Sequence, residues 1–354
     1  MLKFPKISKA FFCLVASALL FAGNNAFSAE VLKLCHLKPH SFESHTAQMA
    51  AVFKNLVEVQ ARGELRVEID SSANRMNEGE FMGQVKRGEI QSYIASVYSF
   101  RRLYSLYDVM NLPFAYSTYA VAYDIFDGWF GVEMAEDIKK KTGFRVLGFG
   151  DYDGFFYITN SKRPIRLPED IKGLKIRTMN IPLHVEAIRA LGAEPVLTPW
   201  SELYTALQRG SADGQMTPIY AILIAKLYEV QKYMTLSNHL YSSYVWVIND
   251  DWYRKLSPRL QEIVVISART AIVAGRGIIR ATQATEKGLS FIAEKMEIYS
   301  PTIEELIKFR RKTIPVAKKI IEDKHGEEGA RWVDKFLRAV DEAESKSRRL
   351  TKSK

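Results

Sequence analysis

Arg177 closes the segment Gly173-Leu174-Lys175-Ile176-Arg177, and the run from Leu191 through Trp200 to Asp213-Gly214-Gln215-Met216-Thr217-Pro218 follows at once. The apolar pattern makes residues 174–178 a strand ending in a guanidinium, with a second strand and helix directly after it. Open α/β sheets bind ligands outside the carboxyl ends of their strands, and a guanidinium presents a planar fork of N–H donors that matches a carboxylate. The chemistry indicated is capture of a small anion, with lobe-bracing by the same arginine as the plainer alternative.

Around this clamp stand groups with polar tips. Asn180 lies three residues on and offers both a donor and an acceptor, for a ligand or as a helix N-cap ahead of Pro182. Trp200 follows Pro199 at a strand-to-helix junction, where an indole supplies a cleft wall or lobe core. Strand ends elsewhere contribute His36, Ser96 and Tyr98, and a late strand begins with Tyr241 and Tyr244. His36, His40 and His45 have no partner cysteine and no H-E-x-x-H spacing, so no metal site is expected.

These residues need elements to hold them. Short strands at 31–36, 65–70 and 92–97 alternate with helices expected from about Phe42 to Ala61, capped by Ser41, and from Glu78 to Arg87, ended by Gly88. A second run places strands at 155–160, 174–178, 194–198 and 212–216, with helices from about Pro182 to Leu191, Trp200 to Arg209 and Pro218 to Tyr228. A long strand at 240–249 is expected to return to the first sheet. From Pro258 to about Lys295 one long helix, bent near Gly275 and Gly277, is expected to brace both halves, with further helices at 302–323 and 326–345. The fold class is α/β: two lobes with crossing strands, the first from 30–151 with about 243–282, the second from 152–242 with about 283–345.

Lys3, Lys6 and Lys9 precede the apolar run from Ala10 to Ala22, and Ala26-Phe27-Ser28 has the small residues of a signal-peptidase site. A cleaved signal peptide over 1–29 and a periplasmic product are expected, because the run is shorter than the ~20 residues a membrane anchor needs. Its removal leaves Cys35 as the remaining cysteine, so no intrachain disulfide is expected. The formal charge drops from +10 to +7 with those three lysines, scattered among acidic residues in the manner of a solvated surface and not of a nucleic-acid stripe. Residues 346–354 read as a frayed basic tail.

No G-x-S-x-G, no G-x-x-x-x-G-K-[ST] and no correctly spaced G-x-G-x-x-G occurs, so an enzyme has little support. Asp151 and Asp153 read as solvent-facing hinge residues.

Lys172-Gly173-Leu174-Lys175-Ile176-Arg177, Trp200-Ser201-Glu202-Leu203-Tyr204-Thr205-Ala206-Leu207-Gln208, Asp213-Gly214-Gln215 before Pro218, Tyr228 to Tyr233 and Ser237-Asn238-His239 occur in one order. With Pro39, His45, Glu80 to Val85 and Asn111 to Phe114, they resemble the solute-binding proteins of tripartite ATP-independent periplasmic (TRAP) transporters, of the C4-dicarboxylate-binding type, over nearly all of the exported chain. The resemblance implies a two-lobed protein that closes on an organic acid and passes it to membrane permease subunits, with Arg177 on the ligand carboxylate and Asn180 and Trp200 beside it. No cofactor is expected. Two departures bear on the ligand. Phe155, Phe156 and Tyr157 stand where many members carry an arginine or other polar residue, and Thr217 stands where many carry asparagine or a large aromatic. A monocarboxylate with an apolar or hydroxylated body is therefore expected. A sensory module that presents its ligand to a membrane receptor would use the same binding chemistry.

Overall fold

The computed structural model describes residues 29–38, 44–70, 78–286 and 288–352 of the 354-residue chain. The expected signal peptide, Pro39, His40 and the expected cap Ser41 lie outside the described residues. Strands, in chain order, are β1 (Glu30–His36), β2 (Leu65–Asp70), β3 (Ser92–Ser96), β4 (Phe144–Asn160), β5 (Lys175–Thr178), β6 (Glu194–Leu197), β7 (Gly214–Pro218), β8 (Tyr233–Thr235), β9 (Tyr241–Asn249) and β10 (Glu297–Tyr299). The α-helices are α1 (His45–Ala61), α2 (Glu78–Arg87), α3 (Val97–Leu103), α4 (Tyr119–Asp127), α5 (Trp129–Thr142), α6 (Pro182–Ala190), α7 (Leu203–Gln208), α8 (Ile219–Ile224), α9 (Asp250–Lys255), α10 (Pro258–Ala284), α11 (Leu289–Lys295) and α12 (Ile303–Lys352).

Two α/β lobes result, each built on its own sheet. The strand order runs β2-β1-β3-β9-β4-β7-β5-β6, with β8 and β10 attached beside β4. β1, β2 and β3 are parallel, as are β5 and β6 and β5 and β7. β9 returns antiparallel to β3, as its β-branched and aromatic content leads one to expect. β4 belongs to both sheets: Phe144 to Phe155 pair with β9, and Phe156 to Asn160 pair with β7. Its register shifts between Asp151 and Gly154, just before the strand changes sheets.

Local chemistry explains the elements. In α1, Ala47, Ala50, Phe53 and Val57 are buried at helical spacing, and Ser44 accepts the capping bond from Ala47 N at 3.3 Å. In β2 Leu65 and Val67 face the core while Arg66 and Glu68 face out. In α10 the residues Leu260, Val264, Ala268, Ala271 and Ile272 form one buried stripe. Gly275 continues it, and α1 approaches so closely there that a Cβ would lie 3.0 Å from Met49 Sδ. The helix ends instead at Ala284, and α11 begins at Leu289.

The final helix is two helices joined at Gly326, whose φ of 58° departs from helical geometry. Helix continues to Lys352, through most of the basic run, and Lys346 reaches Asp124 at 2.7 Å. Three apolar clusters hold the lobes: α1 and α10 against the first sheet, helices α2 to α5 against its other side, and α6 with α12 against the second sheet. Among the described residues no helix is long and apolar enough to cross a membrane.

Candidate functional site

The parallel strands end on facing edges. Thr178 and Pro218 finish β5 and β7 in the second lobe, and His36 and Ser96 finish β1 and β3 in the first. β4 runs from one sheet into the other. Register sets which side chains share a face: Arg177 pairs with Gln215, Gln215 with Thr159, and Thr217 with Tyr157. All five therefore project from one face of the second sheet, because paired residues and residues two apart point the same way.

Arg177 is 4% exposed, and its Nε donates to the Thr198 carbonyl at 2.8 Å. Among the described residues no carboxylate makes an ion pair with it, and burial alone pushes its pKa down. An uncompensated guanidinium in such a place is costly, and an incoming carboxylate would compensate it. Beside it, Gln215 Nε2 donates to Thr159 Oγ1 at 2.9 Å, whereas Gln215 Oε1 and Thr217 Oγ1 are buried with no hydrogen-bond partner among the described residues. One cation and two unused polar atoms thus lie on one sheet face, a combination that fits an acid carrying further oxygens.

The other expected residues divide. Trp200 opens a 3-10 turn two residues after Thr198 and is 45% exposed, which removes it from the core. Asn180 is exposed in the turn before α6, and the N-cap is Ile181, so Asn180 does not cap the helix. His36 is buried at the end of β1, opposite Ile94. Ser96 caps α3 by accepting from Ser99 N at 3.3 Å. Tyr98, on the first turn of α3, spans the lobes: its ring centroid lies 6.4 Å from Phe156 and 6.2 Å from His184, and burial raises its hydroxyl pKa above the ordinary range.

Register and packing decide where the remaining aromatic side chains point. Phe156 points into the α6–α12 cluster, on the sheet face opposite Arg177. Tyr157, on the Arg177 face, lines a cavity of about 990 Å³ with Tyr119, Asn238, Arg280 and Gln283. Tyr241 is scaffold: its hydroxyl donates to Asp151, and its ring packs on Phe155 at 4.8 Å and Tyr116 at 5.1 Å. Tyr244 likewise spends its hydroxyl on Met49 Sδ at 3.0 Å.

Other groups escaped the sequence reading. Asp151 is 1% exposed, not solvent-facing; Tyr123 also donates to it at 2.6 Å, and burial raises its pKa to about 6. Lys38 and Asp153 form an ion pair of 2.7 Å with side chains 17% and 21% exposed. Lys38 Nζ also sits 4.2 Å from the Tyr152 ring and 5.7 Å from that of Tyr220 on α8. His45 Nε2 donates to the Asp151 carbonyl at 2.9 Å, tying α1 to the crossing strand. His184 Nε2 pairs with Asn111 Nδ2 at 3.2 Å, and burial lowers both His184 and His239 to about 3, keeping them neutral. Among the described residues no three His, Cys, Asp or Glu side chains are grouped to hold a metal ion.

This two-lobed fold has counterparts among known proteins. Residues 38–324 match the sequence profile of bacterial extracellular solute-binding protein, family 7. The chain belongs to that family. A family 7 relative, the 2,3-diketo-L-gulonate-binding periplasmic protein YiaO of Escherichia coli, is 32% identical over 262 residues, which is 73% of this chain and 79% of the relative. Among solved structures, a TRAP periplasmic solute-binding protein from Ochrobactrum anthropi superimposes with a TM-score of 0.82 at 26% identity, covering 90% of this chain and 97% of that one. Another, from Polaromonas sp. JS666 and bound to D-erythronate, gives 0.68 at 28% identity, covering 87% and 98%.

Proposed function

We propose that this chain is the solute-binding component of a TRAP transporter, closing its two lobes on a small organic acid and delivering it to membrane permease subunits for ion-gradient-driven uptake. The observation that carries this reading is Arg177, a buried guanidinium at a strand end with no acidic partner among the described residues. Its charge has been taken out of water at a cost that a bound carboxylate returns through paired, charge-assisted hydrogen bonds. Family 7 members are solute-binding proteins, and the role assigned here is binding without turnover.

The first lobe comprises 30–151 with about 243–282, and the second 152–242 with about 283–345. A ligand touching both stabilises the closed arrangement by its differential affinity for it. Arg177, Thr217 and Trp200 supply the second-lobe side, Asn180 flanks them, and the first-lobe side lies near His36, Ser96 and Tyr98. The protein works in the periplasm after loss of residues 1–29.

The acid is a monocarboxylate. Phe155, Phe156 and Tyr157 occupy the stretch where many family members carry an arginine or other polar residue, so one carboxylate is satisfied and the remaining body meets hydroxyl and amide groups. The relative that binds 2,3-diketo-L-gulonate and the neighbour that holds D-erythronate both take acids with a single carboxylate and an oxygenated body. A thermal-shift screen of the mature protein against mono- and dicarboxylic acids, including hydroxy, keto, amino and sugar acids, tests the reading, since a ligand selective for the native state raises Tm by mass action. A hit among acids that disappears in Arg177→Ala supports it. Stabilisation by neutral compounds alone would overturn it.

A further inference from the structure

We infer that Lys38 and Asp153 form the specificity half of the site, reading hydroxyl groups at the far end of the ligand and rejecting a second carboxylate there; this rests on the acid-binding role proposed above. Lys38 follows the carboxyl end of β1, and Asp153 sits in the segment of β4 that passes between the sheets. Lys38 thus lies at the strand-end edge where α/β sheets receive ligands, with Asp153 brought to it from the irregular middle of β4. The pair is joined at 2.7 Å, and each side chain keeps about a fifth of its surface open.

The opposite wall is close. Lys38 Nζ lies 5.7 Å from the ring of Tyr220, which stands on α8 three residues beyond Thr217. Thr217 shares the sheet face of Arg177, as the pairing of Arg177 with Gln215 requires. An acid anchored on Arg177 therefore extends along the end of β7 toward the Lys38–Asp153 pair.

The chemistry of that pair is particular. Lys38 has three N–H donors and gives one to Asp153, while the Asp153 carboxylate keeps free lone pairs, so together they offer a donor and an acceptor with no net charge. A hydroxyl, which both donates and accepts, satisfies the two at once. A terminal carboxylate only accepts, and meets the Asp153 charge with Lys38 already neutralised. Arg101, another cation in this lobe, is held by Asp108 at 2.5 and 2.8 Å and is spent elsewhere. The site thus prefers a polyhydroxylated monocarboxylate to the diacid of the same skeleton.

The experiment measures Kd by calorimetry for two matched pairs, gluconate with glucarate and threonate with tartrate, in wild type, Asp153→Asn and Lys38→Met. Wild type is expected to bind the monoacid of at least one pair tenfold or more tighter than its diacid. Asp153→Asn keeps the shape and removes the charge, and should bring that ratio to within threefold; Lys38→Met should weaken the monoacid at least tenfold. An ion pair that merely braces the hinge would change Tm and leave the ratio alone, and that result in folded variants overturns the inference. So does a wild-type preference for the diacids, or binding of none of the four while some other acid binds through Arg177. If no acid binds at all, or Arg177→Ala is without effect, the underlying acid-binding reading fails and this one falls with it.

Discussion

Replacing Arg177 with alanine should cost binding and little else. The guanidinium is 4% exposed and spends one N–H, Nε, on the Thr198 carbonyl, leaving its terminal nitrogens for a carboxylate. A hydrogen bond to a charged group contributes about 1.5–3 kcal/mol. Taking the upper figure as the floor for a two-bonded fork, the loss is about 3 kcal/mol, or roughly 150-fold in Kd. Arg177→Lys keeps the charge and loses the fork, and should fall between, at roughly tenfold. Fold stability responds differently: the Thr198 bond contributes about 1 kcal/mol, and its loss is offset by removal of an uncompensated buried charge. The unliganded variant should therefore melt within about 4 °C of wild type. Isothermal titration with the tightest acid of the screen, at pH 7.5 and fixed salt, reads both substitutions. A folded Arg177→Ala protein that binds that acid within threefold of wild type would refute the clamp.

Further outcomes follow from the scaffold. Asp151 has its pKa raised to about 6 by burial, from an ordinary 3.8, so between about pH 4 and 6 the native state holds a proton that the unfolded chain has released. Stability should accordingly fall as pH rises through that window, by about 3 kcal/mol at most, and Asp151→Asn should lack that component of the slope; parallel Tm curves for the two proteins would contradict this. His184 and His239 are depressed to about 3, which makes the opposite contribution: stability is lost as pH drops below their ordinary value near 6.5, and NMR should find both rings neutral at pH 5. Gly154 has φ +74°, and a Cβ there would stand 2.5 Å from the Tyr119 hydroxyl, so Gly154→Ala should destabilise by about 1–3 kcal/mol in denaturant titration, and a neutral result would show that the crossing strand tolerates a side chain. Arg310 holds buried Glu344 at 2.7 Å and donates to the carbonyls of Phe114 and Ala115, so Arg310→Ala should cost about 3–5 kcal/mol; a loss under 1 kcal/mol would mean the pair is not sealed from water.

Much of this arrangement was legible because it is local. The βαβαβ alternation, α2 with its Gly88 stop, the strand at 240–249 and the order of the Gly173–Arg177 and Asp213–Gln215 strings are all written in periods of two or 3.6 residues and in short motifs. The first half of β4 was not legible, because Gly148, Gly150, Asp151, Asp153 and Gly154 interrupt the strand pattern. Two of those glycines take positive φ at 159° and 74°, and Gly150 lets the Tyr244 ring approach to where a Cβ would lie 2.4 Å from its hydroxyl. The sequence reading expects one helix to about Lys295, bent near Gly275 and Gly277 by the usual helix-weakening habit of glycine, whereas α10 runs through both glycines, with Gly275 packed on Met49, and ends at Ala284.

At the site the limit is parity and distance. Phe156 and Tyr157 are neighbours in sequence, yet register sends one into the α6–α12 core and the other to the Arg177 face. Tyr241 has the composition of a cleft residue and is consumed by Asp151, ninety positions away. Lys38 and Asp153 are 115 residues apart, and no local pattern couples them.

The most direct test is a crystal structure of the mature protein with its tightest acid bound. The account predicts the carboxylate forked on the Arg177 guanidinium between the two sheets, with the remaining oxygens directed to Thr217 and to the Lys38–Asp153 pair. A carboxylate seated away from Arg177, or an acid held within one lobe alone, would contradict it.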